Sequence, residues 1–242
     1  MSDIRHNLEI IQGRIEQACQ KYGRNRSEVK LLLATKTVPA EKIREAFSLS
    51  SRNLIGENKI QELKSKHCQL VAPNVDFHFI GHLQTNKINE VLKYANCIES
   101  VDRMDLVEKL HKRLEYEDRI LDIFIQVNTS NETSKFGIEP EKAIDFAIEV
   151  SRFSRFRVKG LMTIGLFSSE EEKVRKCFRL LKDIQIQIQK LNLPNFDLKE
   201  LSMGMSGDFE TAIAEGATIV RVGSAIFGER IYPDSYYWNE NN

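Results

Sequence analysis

The chain has no excess charge. Its 35 Lys and Arg residues balance 35 Asp and Glu, a formal net charge of +0. That leaves no electrostatic case for nucleic acid or an acidic membrane surface as a partner. Cysteine is also scarce, and Cys19, Cys68, Cys97 and Cys177 stand far apart. Their spacing excludes a local zinc or redox motif and suits free thiols in a reducing compartment. Long apolar runs are missing: Met1 to His6 lacks a signal core, and no stretch is long enough to span a bilayer. A cytoplasmic location is expected. There is no internal repeat, low-complexity segment or linker, so a single domain over residues 1–242 is expected. No Ser-His-Asp order, carboxylate pair or metal-ligand cluster stands out.

What is present is alternation. Ile4, Leu8, Ile11, Ile15 and Ala18 share one helical face, with Ser2 or Asp3 as cap. The apolar run Leu31 to Ala34 then reads as a buried strand, and Val38-Pro39 breaks it before a helix from Ala40. Further strands are predicted at 53–56, 75–80, 95–99, 120–127, 158–163, 198–202 and 217–223. Helices fall between them. Thr85 and Asp102 are expected to cap two of these, and Ser168 and Ser169 with Glu171 and Glu172 to form a capping box. The helix after Pro140 is expected to bury Ala143, Ile144, Ala147 and Ile148. Strand–helix alternation means parallel strands with helical crossovers. Eight rounds in about 250 residues is the size of a (β/α)₈ barrel. A doubly wound sheet is the alternative, but no G-x-G-x-x-G follows the first strand.

In such a barrel, functional groups come from the carboxyl ends of the strands. Lys36, Glu57-Asn58, Gly81-His82, Asn128 and Thr163 would line that rim. A lysine there is costly to desolvate and can capture an aldehyde, unless it bends out to solvent. Met203-Gly204-Met205-Ser206-Gly207 and Gly223-Ser224 follow strands seven and eight, the usual phosphate site of this fold. The Ser206 hydroxyl and the Gly223-Ser224 amides are expected to hold an anion, although Asp208 and Glu210 lie close by. Arg221 shares a strand face with Ile219 and Gly223, opposite Val220 and Val222. If that face is interior, Arg221 needs a carboxylate or a ligand. His82 and Asn58 could serve as structural hydrogen-bonding groups, and His78 and Cys97 as core. A lysine, a phosphate cup and an arginine in one barrel mouth point to a phosphorylated aldehyde. A sugar phosphate, as in a lysine-type aldolase, and pyridoxal 5′-phosphate (PLP) both qualify.

Five stretches carry a resemblance: Leu33 to Val38, Gly56 to Glu62, Phe77 to Lys87, Leu201 to Ser206 and Val220 to Gly228. Together they resemble the PLP homeostasis protein family, whose members look like the barrel domain of alanine racemase standing alone. The resemblance implies that Lys36 holds PLP as a Schiff base and that Arg221 faces the pyridine nitrogen. It implies that Ser206, Gly223 and Ser224 hold the phosphate, and that Asn58, His82 and Met203 flank the ring. One reading is a non-catalytic carrier that affects amino-acid and keto-acid metabolism, with PLP-dependent apoenzymes as candidate recipients; without the second domain through which the racemases dimerise, a monomer is expected. Many relatives carry a second lysine where this chain has Val38. A small amino-acid racemase is the competing reading. In alanine racemases the second base is a tyrosine from another domain, and here only Tyr232, Tyr236 and Tyr237 remain in the tail, with nothing to position them. An arginine at the ring nitrogen also disfavours its protonation and weakens the ring as an electron sink.

Overall fold

The computed structural model describes residues 3–47 and 53–228. Ser2, the tail tyrosines Tyr232, Tyr236 and Tyr237, and Trp238 lie outside them. Eight parallel strands pair in chain order and close on themselves. They are β1 (Lys30–Ala34), β2 (Asn53–Glu57), β3 (Val75–Phe79), β4 (Cys97–Val101), β5 (Leu121–Gln126), β6 (Phe156–Met162), β7 (Phe196–Ser202) and β8 (Ile219–Val222). Closure comes from β1 meeting β8, with Leu32 opposite Arg221. The helices are α1 (Ile4–Lys21), α2 (Ala40–Phe47), α3 (Ile60–Leu70), α4 (Ile88–Val91), α5 (Met104–Tyr116), α6 (Ala143–Val150), α7 (Glu171–Gln189), α8 (Phe209–Ala214) and α9 (Ser224–Phe227). The (β/α)₈ barrel expected from alternation is the fold observed, with α1 as the extra leading helix.

Successive side chains on a strand point to opposite faces, so each strand feeds two cores. Leu32, Leu54, Ile80, Cys97, Phe124, Met162 and Ile219 fill the barrel interior. Val220, Val222 and their counterparts pack outward with the helices. Fully burying a side chain of this kind contributes about 1.5–3 kcal/mol. Phe124 is accommodated by Gly160. A Cβ added there would lie 2.9 Å from the Phe124 ring and 1.9 Å from the Glu200 carbonyl oxygen. Outside, α1 buries its predicted face, and the Asp3 carboxylate accepts from the His6 amide at 3.1 Å. Gly23, at φ 64°, turns the chain out of this helix. Asn7 then donates to the Ile226 carbonyl at 3.0 Å, tying α1 to α9.

Several local expectations fail. Asp102 does not cap α5; its carboxylate accepts from Arg103, whose guanidinium also reaches the Leu83 carbonyl. Ser168 accepts from the Glu170 amide at 3.0 Å, and α7 begins with no side-chain cap instead of a capping box. Thr85 opens a short 3₁₀ turn and accepts from Lys109. In α6 the buried face is Ala143, Phe146, Ala147 and Val150, while Ile148 is exposed. Strand β4 runs to Val101, placing Glu99 and Ser100 inside it.

Candidate cofactor site

Cavities lie at both ends of the barrel. One of about 440 Å³ lies at the amino ends of the strands, bordered by Lys30, Asn53, Asp76, Asp122, Lys159 and Glu200. Another, about 260 Å³, lies at the carboxyl ends and is lined by Lys36, Asn58, Ser206, Arg221, Gly223 and Ser224, with Met205 and Asp208 beside them. The smaller cavity is at the end where barrels of this kind carry function, and it gathers six of the eight predicted site residues.

Lys36 stands two residues beyond β1, in a turn closed by the Val38 amide donating to the Thr35 carbonyl at 2.9 Å. Thr37 adopts φ 61°, a conformation a β-branched residue resists. The turn is pinned from below. The Lys66 ammonium donates to the Thr35 carbonyl at 2.6 Å and to Glu57 Oε1 at 2.7 Å. The Thr35 hydroxyl donates to the same carboxylate oxygen. Glu57 is fully buried and does not line the rim as expected; the strand's period of two turns it outward, toward α3. Burial pushes its carboxyl above the usual range, against the opposing charge of Lys66.

Asn58, one position on, is back on the cavity side. It does not cap α3, which is preceded by Lys59 with no side-chain cap. Its Oδ1 is buried and accepts no hydrogen bond. Gly81 sits against its backbone, where an added Cβ would fall 2.2 Å from the Asn58 carbonyl oxygen.

Arg221 is buried in the barrel interior. Its Nη1 donates to Ser202 Oγ at 2.9 Å and its Nη2 to the Thr163 carbonyl at 2.7 Å. The Ser202 hydroxyl donates to Glu99 Oε2 at 2.6 Å, and Glu99 Oε1 meets His78 Nδ1 at 2.6 Å. Arg221 therefore borders the cavity and is linked to an interior carboxylate through Ser202. Burial alone would raise the Glu99 carboxyl. Hydrogen bonds from His78 and Ser202, with the charges of His78 and Arg221, outweigh it and hold Glu99 below its ordinary value. Burial lowers Arg221, opposed by Glu99 and Asp208.

At the far side, the Ser224 hydroxyl donates to Ser206 Oγ at 3.3 Å. A Cβ on Gly223 would sit 2.7 Å from the Ala34 carbonyl oxygen, so only glycine lets β8 end this close to β1. Gly204, at φ 89°, makes the turn that brings Ser206 round. Asp208 accepts from the Met205 amide at 2.5 Å, and burial raises its carboxyl. Glu210 turns away to pair with Arg14 at 2.7 Å.

His82 and Met203 do not line the cavity. The His82 ring stacks on Phe136, centroids 3.9 Å apart and 17° from parallel. Met203 is fully buried in the larger core. Asn128 and Thr163 hold loops: Asn128 donates to the Glu132 and Lys135 carbonyls, and Thr163 to that of Val127. Sequence reasoning missed Ser202, Glu99 and the Leu166-Phe167-Ser168 wall. Counting by two from Cys97 would have placed Glu99 inside the barrel. No comparable signal marks the wall, which belongs to a loop.

An amine, two neighbouring hydroxyls, a glycine-made recess, a buried guanidinium and an unsatisfied amide oxygen suit a phosphorylated aromatic aldehyde such as PLP. The fold and this cavity together define a barrel of the alanine racemase type. The family model described as alanine racemase, N-terminal domain, matches residues 1–231. A protein of Aquifex aeolicus named pyridoxal phosphate homeostasis protein is 41% identical over 225 residues, covering 93% of this chain and 97% of that one. The structure of PipY from Synechococcus elongatus, with PLP bound, is similar at 30% identity and a TM-score of 0.77, covering 89% of this chain and 100% of that one. Alanine racemase of Clostridium difficile shares the fold, with a TM-score of 0.74 and 12% identity over 95% of this chain and 58% of that one. The chain belongs to the pyridoxal phosphate homeostasis protein family.

Proposed function

We propose that this chain binds PLP in the carboxyl-end cavity and serves PLP homeostasis as a carrier without robust turnover. The observation that carries the reading is the meeting of Lys36, Arg221, Ser206 and Ser224 around one cavity. The bound cofactor would supply an aldehyde, which a lysine amine captures with loss of water. Lys36 is that amine, held on a turn anchored by Lys66 and Glu57. Ser206, Ser224 and the amides at Gly223-Ser224 receive the phosphate. Asn58 Oδ1 gains a partner when the site fills. Arg221 would face the ring nitrogen and, remaining a cation, would disfavour a proton there. The weakened electron sink supports a carrier over a racemase.

Borohydride reduction of the yellow holoprotein followed by peptide mapping tests the anchor. Label is expected on Lys36, and label on another lysine refutes the assignment. Absence of violet absorbance in protein purified with PLP would refute PLP binding altogether.

A further inference from the structure

We propose that Glu99 is a positioning residue for Arg221, acting through Ser202, and that His78 steadies Glu99 from the far side. This inference rests on the reading that Arg221 meets the cofactor ring. Arg221 and Ser202 come from the neighbouring strands β8 and β7, Glu99 and His78 from the neighbouring strands β4 and β3, and the Ser202–Glu99 bond joins the two pairs across the barrel lumen.

The direction of each bond is set by chemistry. Arginine can only donate, so Ser202 Oγ accepts from Arg221 and gives its own proton to Glu99. Both Glu99 oxygens are taken, one by Ser202 and one by His78. Glu99 is completely shielded from solvent. A carboxylate so placed persists only when paired, and a guanidinium on a long side chain stays in one rotamer only when held. The Ser202 and Thr163 bonds occupy two of the five N–H groups of Arg221, one on each terminal nitrogen. The rest remain for a ligand in the cavity that Arg221 borders. Glu99 also supplies negative charge in an interior that holds Arg221, with Lys36 on the same cavity wall. The arrangement fixes both where the guanidinium points and the charge the ring meets.

The test uses full-length protein loaded with PLP. The parent, Glu99→Gln, Ser202→Ala, Arg221→Gln and the double variant Glu99→Gln/Arg221→Gln are compared by PLP titration and by the position of the bound cofactor's visible band. Glu99→Gln and Ser202→Ala are expected to weaken binding about tenfold and to move the band in the same sense as Arg221→Gln. The double variant is expected to bind no worse than Arg221→Gln alone, because positioning an absent arginine has no effect. The inference is overturned if Glu99→Gln keeps the parent's band and affinity, or if the two losses add in the double variant. Should Glu99→Gln fail to fold, Ser202→Ala decides by the same criteria, since it keeps both charges and removes only the link. If Arg221→Gln binds PLP as the parent does, the underlying reading of Arg221 fails and this inference falls with it.

Discussion

Replacing Lys66 with methionine should uncover the ion pair beneath the Lys36 turn. Lys66 and Glu57 are both buried, at 4% and 0% exposure, and the methionine keeps most of the aliphatic stem. What is lost is the charge facing Glu57 and Glu62 and the donor to the Thr35 carbonyl. Removing one partner of a buried pair costs about 3–5 kcal/mol. For a chain of this size that lowers Tm by about 10 °C. The loss should depend on pH. Burial raises the Glu57 carboxyl in the folded protein, so folded Glu57 holds its proton more tightly than unfolded Glu57. Stability from this group is present below the unfolded value and is lost as pH rises through the folded one. Without Lys66 the folded value climbs further. The deficit of the variant is therefore largest at neutral pH and shrinks on acidification toward the ordinary glutamate range. A second change, Glu57→Gln, should recover part of the neutral-pH loss. Chemical denaturation across pH, for parent and variants, measures this directly. A deficit below about 1 kcal/mol at neutral pH, or one that does not change with pH, would refute the reasoning.

Lys36→Ala should leave PLP bound only noncovalently, seen as protein that loses its colour on denaturing gel filtration; retained covalent colour contradicts the anchor. Asn58→Ala should barely change the melting temperature of cofactor-free protein, because Oδ1 has no partner there, yet weaken PLP binding about tenfold in titration. Gly81→Ala must push against the Asn58 backbone and should cost about 1–3 kcal/mol in denaturant unfolding, with weaker PLP binding as well. Holoprotein incubated with L- or D-alanine in deuterated water should gain no α-deuterium at enzyme-like rates by mass spectrometry; rapid incorporation would favour the racemase.

Much of the site was legible because its anchors are local. Lys36 follows an apolar run and a Val-Pro break, and the two small-residue turns follow strands seven and eight. Arg221 shares a period-two file with Ile219 and Gly223, and that file proved to be the interior one. Glu57 follows the inward-facing Gly56, so the period of two turns it from the rim toward Lys66 on α3. The stacking of His82 on Phe136, which comes from a loop 54 residues later, is a pairing that no local pattern encodes.

The sequence by itself determined the alternation of strands and helices, the barrel it implies, and which strand ends carry an amine, hydroxyls and a guanidinium. Those follow from backbone periodicity, which each segment expresses independently of the others. Only the tertiary structure decided that Glu99 reaches Ser202 across the lumen, that Lys66 supports the turn of Lys36, and that α6 buries Phe146 and Val150 while leaving Ile148 exposed. Such contacts exist only after eight strands have closed, because closure sets the distance between side chains that lie up to 103 residues apart in the chain.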